Sequence, residues 1–245
     1  MEPQWVKLDK VHSTNSYLVE QIQAEKANES MVVLADYQEA GRGQGANRWH
    51  SRSGENLIMS RVLFPAFLSA SDQFHISRIA SLAIYDFLES LELKIRIKWP
   101  NDIITENGKI AGILIEHGIT EKLISHSVIG IGLNLNQSLF PEFPVRAVSL
   151  VKEKGITMEP IKAAEALFNH LNLRYTMLKE GSTEKLKRDY LDRLYGFEKE
   201  LAFSSGNESF LGVIRGLSEF GELQVEKDGI VETFGFQEIR FESVS

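Results

Sequence analysis

Cysteine is absent from this chain of 245 residues, and basic residues are in the minority, with 27 Lys and Arg against 34 Asp and Glu. The lack of cysteine excludes disulfides, thiolate metal sites and cysteine nucleophiles. The formal net charge of −7 argues against nucleic acid as a partner, because that affinity comes largely from basic surface. We therefore predict that the chain binds no nucleic acid.

Long apolar runs are also missing, since no uncharged stretch approaches the ~20 residues that cross a bilayer. The N-terminal segment Met1–Trp5 lacks the basic-then-apolar pattern of a signal peptide. We therefore expect no membrane association, and a cytoplasmic location fits these absences. The composition, 43% hydrophobic and 25% charged, is ordinary for a soluble globular protein of one large domain, or of a catalytic domain with a small appendage.

Hydrophobic periodicity predicts both helices and strands in the first 195 residues. The predicted helices follow Ser13-Thr14-Asn15, any of which is a suitable N-cap, and Asp72, a second candidate N-cap. The first runs from these three residues through Gln23, the second from Asp72 to about Leu91, and two more cover Glu159 to Lys179 and Glu184 to Tyr195. The predicted strands cover Met31 to Tyr37, Asn56 to Phe64, Leu93 to Trp99, a hairpin from Ile103 to Glu116 around Asn107-Gly108, and Leu123 to about Leu135.

The segment after Phe197 consists of short alternating stretches separated by glycines, the pattern of a small β barrel. We place a domain boundary near Gly196, which divides the chain into a catalytic domain at 1–195 and a small C-terminal domain at 196–245. Strands mixed with segregated helices favour the α+β class over a regular βαβ alternation.

A glycine-rich loop from Gly41 to Trp49 is the most informative local feature. Glycine allows close backbone approach to a ligand, and successive exposed N–H groups in such a turn suit an anion. The arginines Arg42 and Arg48 add forked donors for phosphate or carboxylate, and Trp49 offers a flat apolar face for a ring. Taken alone, the loop is as consistent with an ordinary surface turn as with a binding site.

Several common motifs are excluded by spacing. The loop glycines do not space as G-x-G-x-x-G, and Asn107-Gly108-Lys109 is not a Walker loop because Ile103 stands where the first glycine belongs. No G-x-S-x-G turn and no H-x-x-x-H pair occurs. The commoner nucleotide-binding and hydrolase interpretations therefore do not apply.

Five segments, in this order, resemble the biotin protein ligases. They are Ser13-Thr14-Asn15, the loop from Gln38 to Trp49, Lys98-Trp99-Pro100-Asn101-Asp102, Lys109-Ile110-Ala111-Gly112-Ile113-Leu114-Ile115-Glu116 and Gly130-Ile131-Gly132-Leu133-Asn134-Leu135-Asn136. The resemblance runs from about Val11 to Asn136, and the β-rich tail is similar to the family's small C-terminal domain. It implies an α+β fold with a mixed β-sheet and flanking helices, of the class II aminoacyl-tRNA synthetase and biotin ligase type, plus a C-terminal SH3-like β barrel.

The resemblance also implies a chemistry. Biotin and ATP, with Mg²⁺, would give biotinyl-5′-AMP, and a lysine of a biotin carboxyl carrier domain, as in acetyl-CoA carboxylase, would receive the biotin. By the same resemblance Lys109 and Arg42 are the catalytic cations. The implied biotin contacts are Ser13, Thr14, Asn15, Gln38, Gly41, Arg42, Gly43, Gln44, Lys109 and Gly112; the implied nucleotide contacts are Arg48, Trp49, Asn101 and Asn134; and Asp102 either holds Mg²⁺ or steers the incoming lysine.

Some features depart from the family pattern or stay open. Gln44 stands where many such ligases carry an arginine, so either the adenylate is held less tightly or Arg48 compensates. Only about a dozen residues precede Ser13, too few for the N-terminal DNA-binding domain of some ligases, so we expect a monofunctional enzyme. Family members often dimerise by joining sheets edge to edge, which makes a homodimer possible here.

Three alternatives remain at this point. A lipoate ligase or octanoyltransferase would share the fold and an active-site lysine, although the Lys98–Asp102 segment and the glycine loop favour biotin. A ligand-binding module without catalysis would not need both Arg42 and Lys109. A peptide-binding adaptor acting through residues 196–245 ranks last, because that segment shows no exposed aromatic groove pattern.

Overall fold

The computed structural model describes residues 2–45, 47–143 and 145–242. Its larger sheet has seven strands in the order β1-β2-β3-β7-β6-β5-β4. β1 and β2 run parallel, and every other neighbouring pair is antiparallel, so the sheet is mixed. The strands are β1 Gln4–Val11, β2 Met31–Gln38, β3 Leu57–Leu63, β4 Arg96–Lys98, β5 Asp102–Thr105, β6 Gly108–Thr120 and β7 Leu123–Leu133.

Helices cover both faces of this sheet. β2 shows why: Val32 and Leu34 belong to the large core cluster beneath α2 and α4, whereas Met31 and Val33 pack with Leu18 of α1. A strand that is apolar on successive residues is buried on both sides. The helices are α1 Thr14–Gln23, α2 Phe74–Ser90, α3 Leu150–Lys154, α4 Pro160–Lys179 and α5 Thr183–Arg193.

The C-terminal segment forms a five-stranded antiparallel sheet in the order β11-β10-β9-β8-β12. Its strands are β8 Glu200–Ser205, β9 Glu208–Leu217, β10 Leu223–Lys227, β11 Ile230–Phe234 and β12 Arg240–Phe241. It is fixed to the larger unit where Trp99 Nε1 donates to the Gly221 carbonyl at 2.8 Å. The α+β class is confirmed by this arrangement.

Two predicted elements differ from the structure. Asp72 is not the N-cap of α2: Ser69 accepts from Ser71 N and opens a 3₁₀ turn over Ala70–Asp72, so α2 begins at Phe74. The predicted strand from Leu93 to Trp99 pairs only over Arg96–Lys98, although its alternation is correct, because Leu93, Ile95, Ile97 and Trp99 are all buried. The alternation of apolar and polar residues therefore predicted correctly which side chains are buried. The hydrogen bonds to the neighbouring strand are confined to Arg96–Lys98.

Two elements were not predicted. β1 carries charged residues on a half-exposed edge strand, and α3 is a helix of five residues; both are too polar or too short for a periodic signal. Pro144, near which the sequence pattern changes, lies outside the described residues. In the part of the chain that the structure describes, no helix combines the length and the apolar character needed to cross a membrane.

Candidate active site

A cavity of about 360 Å³ opens between the glycine-rich loop and the middle of the large sheet. Every predicted site residue except Gly41 lines it. Gly41 instead forms the base of the loop, where its carbonyl accepts from Trp49 N at 2.9 Å. The lining therefore combines the start of α1, the end of β2, the loop, the β4–β5 turn, β6 and β7.

The start of α1 is held by a side chain from β2. Gln38 Oε1 accepts from Thr14 N at 2.8 Å and from Thr14 Oγ1 at 3.0 Å. The Ser60 hydroxyl lies 2.7 Å from Thr14 Oγ1 and 2.6 Å from Asn15 Oδ1. Ser13 occupies the N-cap position, but its side chain makes no capping bond. Gln38 therefore supplies the cap that the sequence assigned to Ser13, Thr14 or Asn15.

Arg42 is tied to this cluster through a carboxylate. Its Nη2 lies 2.9 Å from Glu116 Oε2, and Asn15 Nδ2 donates to the same oxygen at 2.8 Å. The Arg42 side chain is 44% exposed, so its guanidinium is positioned without being sealed from solvent. Glu116 thus fixes both a loop cation and an amide on α1.

Backbone hydrogen bonds hold Lys109 in place, and its side chain folds back over β6. Lys109 N donates to Arg146 O at 2.8 Å, and Val148 N donates to Lys109 O at 2.9 Å. Lys109 Nζ lies 2.6 Å from Asp102 Oδ1 and forms an ion pair with it. The ammonium therefore lies inside the cavity beside a single carboxylate.

Two paired glycines make room for these side chains. Gly112 of β6 and Gly132 of β7 are directly opposite each other in the sheet. A Cβ on Gly112 would lie 3.1 Å from Lys109 Nζ, and a Cβ on Gly132 would overlap the indole of Trp49. Lys109 Nζ in turn lies 5.7 Å from the centre of the Trp49 ring. Trp49 therefore lies on the glycine floor of the cavity instead of in the core.

Asn101 and Asn134 both line the cavity but make different hydrogen bonds. Asn101 Nδ2 donates to Ile113 O at 2.9 Å, which ties the β4–β5 turn to β6. Asn134 is 3% exposed and donates from Nδ2 to Val148 O at 2.9 Å. Its Oδ1 is buried with no donor among the described residues. A buried acceptor without a partner is costly, and Asn134 is one of the residues that line the cavity.

The electrostatics of the site involve three neighbouring charges. Lys98 of β4 and Asp102 of β5 lie opposite each other in the register of the sheet. Burial lowers the pKa of Lys98, the Asp102 charge opposes that shift, and the Lys109 charge adds to it. Lys98 does not line the cavity, since its ammonium lies 5.2 Å from the centre of the Phe241 ring. The charges of this cluster that face the cavity are therefore those of Lys109 and Asp102.

Sequence reasoning left unassigned several residues that line the cavity or that hold its lining residues in place. Glu116 is the last residue of the Lys109–Glu116 segment that the sequence singled out. Its partner Arg42 lies 74 positions away, so the sequence did not indicate their contact. Ser60 gave no signal of its own within a buried strand. The outer wall is contributed by an irregular segment with no recognisable motif, namely Phe140, Phe143, Val145 and Ala147.

The residues present can serve only a metal ion that arrives with its own ligands. Among the described residues no group of three or more His, Cys, Asp or Glu side chains is assembled. Mg²⁺ is commonly held by one or two carboxylates together with substrate phosphates. Asp102 is a carboxylate of that kind, already paired with Lys109.

Comparison with known proteins agrees with this geometry. A model of the biotin/lipoate A/B protein ligase family matches residues 8–134. The bifunctional ligase/repressor BirA of Escherichia coli (strain K12) is 30% identical over 95% of this chain and 72% of its own length. The biotin--[acetyl-CoA-carboxylase] ligase of Mycobacterium tuberculosis is 26% identical over 92% of this chain and 85% of its own.

The fold has a close counterpart among solved structures. The biotin protein ligase from Aquifex aeolicus in complex with biotin and ATP has a TM-score of 0.81 to this chain, at 24% identity and with 98% of each chain covered. That likeness supports the arrangement of the mixed sheet, its helices and the C-terminal antiparallel sheet. By the family match over more than half of its length, the chain belongs to the biotin/lipoate A/B protein ligase family.

Proposed function

We propose that this chain is an ATP-dependent biotin protein ligase, which activates biotin as biotinyl-5′-AMP and transfers it to a specific lysine of biotin carboxyl carrier domains. The observation that carries the proposal is the placement of Lys109 and Arg42, from separate elements, in one cavity with a glycine floor. The names of the relatives in Escherichia coli and Mycobacterium tuberculosis, a ligase/repressor and a biotin ligase, support the same conclusion.

The biotin half of the cavity is the polar cluster at the start of α1. Biotin's ureido group needs donors and acceptors inside an apolar pocket, and Ser13, Thr14, Asn15 and Gln38 provide them. Arg42 carries the charge that suits the biotin carboxylate, with Gly43 letting the loop backbone come close and Gly41 shaping the base of the loop. Gly112 keeps the floor open where the substrate has to lie beside Lys109.

The nucleotide half lies across the paired glycines. Trp49 offers its face to the adenine ring, and the orphan Asn134 Oδ1 is an acceptor for the adenine amino group. Asn101 lies at the same rim, and Arg48 lies opposite Arg42 in the loop hairpin, where it can reach a phosphate. These assignments follow the family resemblance and are supported by the orphan oxygen of Asn134.

The first step joins the biotin carboxylate to ATP. A carboxylate oxygen forms a bond to the α-phosphorus while the bond from that phosphorus to the pyrophosphate oxygen breaks, and pyrophosphate leaves. Negative charge concentrates on the α-phosphoryl oxygens, where fixed cations stabilise the transition state most. Lys109 bridges the carboxylate and the α-phosphate in this proposal, and it exchanges its Asp102 partner for them.

The second step forms the amide. The carrier lysine, arriving as an ammonium, gives up one proton to solvent, and its neutral amine attacks the acyl carbon. The C–N bond forms, the bond from that carbon to the phosphate oxygen breaks, the nitrogen loses a second proton to solvent, and AMP leaves. The mixed anhydride has to be kept from water between the two steps, which is the role we assign to the glycine-rich loop with Gln44. Asp102 is placed to hold or steer the incoming ammonium of the carrier lysine.

Magnesium would enter with the nucleotide in this scheme. When bound, it supplies charge neutralisation on the phosphates. Asp102 is the candidate protein ligand, and the steering role just described is the alternative for the same carboxylate. Titration of Mg²⁺ against the Asp102→Asn variant separates the two, because only a metal ligand shifts the half-saturating Mg²⁺ concentration.

The finer architecture belongs to the same proposal. We infer that residues 1–195 form the catalytic domain and that 196–245 form an SH3-like barrel around the five-stranded sheet. The exposed edge strand β1 is suited to an edge-to-edge homodimer, which sedimentation equilibrium would test. The absence of nucleic-acid binding stays a prediction, checked by mobility shift at physiological salt.

The direct test is exchange of labelled pyrophosphate into ATP, with biotin, lipoate and octanoate as parallel acids. Exchange with biotin alone is the expected result, since adenylation is reversible and acid-dependent. Exchange with lipoate instead would assign the chain to the sister branch of its family. Folded protein that exchanges with none of the acids would overturn the ligase proposal in favour of a binding module.

Gln44 bears on how well the intermediate is retained. An arginine restored at this position adds a charge-assisted hydrogen bond of about 1.5–3 kcal/mol when buried. We expect Gln44→Arg to slow release of biotinyl-5′-AMP into solution, measured by quenching after one turnover without carrier. Equal release from both proteins would indicate that Arg48 already compensates, which Arg48→Ala would then expose.

A further inference from the structure

A turn of the C-terminal sheet, residues 235–238, lies beside the catalytic segment of the sheet domain. Glu238 fixes the turn, because Gly235 N donates to its carboxylate at 2.6 Å. The Phe236 ring stacks on Trp99, with centroids 5.4 Å apart, and also lies 6.3 Å from Phe74 of α2. The turn therefore packs on two buried side chains, Trp99 in the β4–β5 turn and Phe74 at the start of α2.

Gln237 projects from this turn to the tip of the glycine-rich loop. A Cβ built on Gly45 would lie 2.5 Å from Gln237 Nε2, so the side-chain amide fills the space beside the loop backbone. Both residues have left-handed backbones, with φ of +63° at Gly45 and +74° at Gln237. A non-glycine residue adopts that region rarely and persists there where its surroundings require it.

The contact lies where loop and turn share a second cavity. This cavity has a volume of about 210 Å³ and adjoins the active site, and Gln44 and Phe236, the chain neighbours of Gly45 and Gln237, both line it. The base of the loop is already closed by Gly43 N donating to Asn47 O at 2.8 Å. At the tip, Asn47 N donates to Gln44 O at 3.3 Å, and the contact between Gly45 and Gln237 is what joins this turn to the C-terminal sheet.

We propose that Gln237 is a positioning residue that holds the tip of the glycine-rich loop over the cavity. The inference rests on the proposed function, in which this loop keeps water from the adenylate. Gln237 touches no substrate and acts only through Gly45. Loss of the amide raises the fraction of open loop and lets the adenylate escape, while the chemistry at Lys109 and Arg42 continues.

The test uses matched variants of the full chain. Gln237→Gly removes the amide but keeps a residue that accepts the left-handed backbone. Gly45→Ala introduces a Cβ against the same amide. Gly206→Ala is the control, because Gly206 has a φ of +59° and no atom within 4 Å of a built Cβ. Urea midpoints confirm that each protein is folded under the assay conditions.

The first readout is trypsin cleavage after Arg42 and Arg48, without any substrate. Cleavage follows the population of the open form when opening is fast, so we expect an increase of about two- to fivefold in Gln237→Gly, as for the loss of one contact of about 0.5–1 kcal/mol. Gly45→Ala should raise cleavage by the same factor or more, and Gly206→Ala should leave it unchanged. In the double variant Gln237→Gly with Gly45→Ala, the increase should be smaller than the two single effects combined.

The second readout is release of biotinyl-5′-AMP without carrier, compared with biotin-dependent pyrophosphate exchange. We expect release to rise by a similar factor in Gln237→Gly while exchange changes by less than twofold. Unchanged cleavage in both Gln237→Gly and Gly45→Ala, or an equal rise in Gly206→Ala, would overturn the assignment. Wild-type protein without exchange would instead refute the proposed function, and the cleavage data would still report on the contact.

Discussion

The ion pairs of the cavity and those of the helical layer use the same residue types in opposite ways. Arg174 of α4 is 8% exposed and binds the carboxylates of Asp86 on α2 and Asp189 on α5 at 2.6–2.8 Å. Arg42 and Lys109 each hold one carboxylate, with 44% and 26% of their side chains exposed. A buried arginine whose three nitrogens all bind carboxylates links helices, whereas a cation with donors left facing a cavity can bind a substrate anion.

The largest effect expected from this contrast is on the cavity side. Lys109→Gln keeps a polar side chain that is one atom shorter and removes the charge beside Asp102. We expect pyrophosphate exchange to fall about 10²–10³-fold, the range for removing one preorganised group that stabilises transition-state charge. Lys122→Gln, at the exposed tip of the β6–β7 hairpin, is the matched control. Activity within a few-fold of wild type in Lys109→Gln would remove Lys109 from the catalytic role.

The helical layer should respond in stability instead of activity. Arg174→Met leaves Asp86 and Asp189 partly buried without their shared cation, and breaking a buried pair from one side costs about 3–5 kcal/mol. We expect the free energy of unfolding in urea to fall by about 3 kcal/mol, with activity per folded molecule unchanged. Arg188→Met on the exposed side of α5 should leave the free energy of unfolding within about 0.5 kcal/mol.

A selective loss of activity in folded Arg174→Met would break the comparison. It would mean that the position of the helices affects the geometry of the cavity. The number of carboxylates that a cation binds would then not distinguish a structural cation from a substrate-binding one. The control for this outcome is the rate measured well below the unfolding transition, where both proteins are folded.

The sequence indicated the lining of the cavity far better than it indicated these partners. Periodicity and turn residues are local signals, and they predicted most elements, including the hairpin that positions Lys109. The start of α2 was wrong because Ser69 opens a turn that the preference of Asp72 for N-caps does not reveal. Contacts such as Asn15 with Glu116, which are 101 positions apart, leave no periodic trace, since only the folded sheet brings them together.

A smaller effect separates Arg42 from an arginine in a nearly identical ion pair. Arg42–Glu116 and Arg215–Glu226 have N–O distances of 2.9 and 2.7 Å and arginine side chains that are both 44% exposed. Exposed pairs contribute little to stability, so Arg42→Ala and Arg215→Ala should each leave the urea midpoint nearly unchanged. Only Arg42→Ala should lower kcat/KM for biotin, by about 10- to 100-fold for a charge-assisted bond of ~1.5–3 kcal/mol.

Equal kinetic effects of Arg42→Ala and Arg215→Ala would contradict the assignment of Arg42. Since the pairs match in geometry and exposure, any kinetic difference must come from what lies beside them. Arg42 faces the cavity from the glycine-rich loop, whereas Arg215 lies on β9 of the C-terminal sheet.

The smallest expected effect concerns pH and the helical layer. Burial alone would raise the pKa of Asp189, but hydrogen bonds from Arg174 and Lys185, with their charges, lower it below its ordinary value of 3.8. As the pH falls, Asp189 is therefore protonated at a higher pH in the unfolded chain than in the folded protein. The resulting stability is complete above about pH 3.8 and is lost as the pH falls through the lower folded-state value.

Asp189→Asn keeps an acceptor for Arg174 and removes the titration. We expect its urea midpoint to decline less steeply than that of wild type below about pH 4, with Asp192→Asn on the exposed side of the same helix behaving as wild type. An identical decline in all three proteins would mean that Arg174 gives Asp189 no preference for its charged form. In that case the helical layer would be held by packing, and its arginine would differ from Arg42 only in burial.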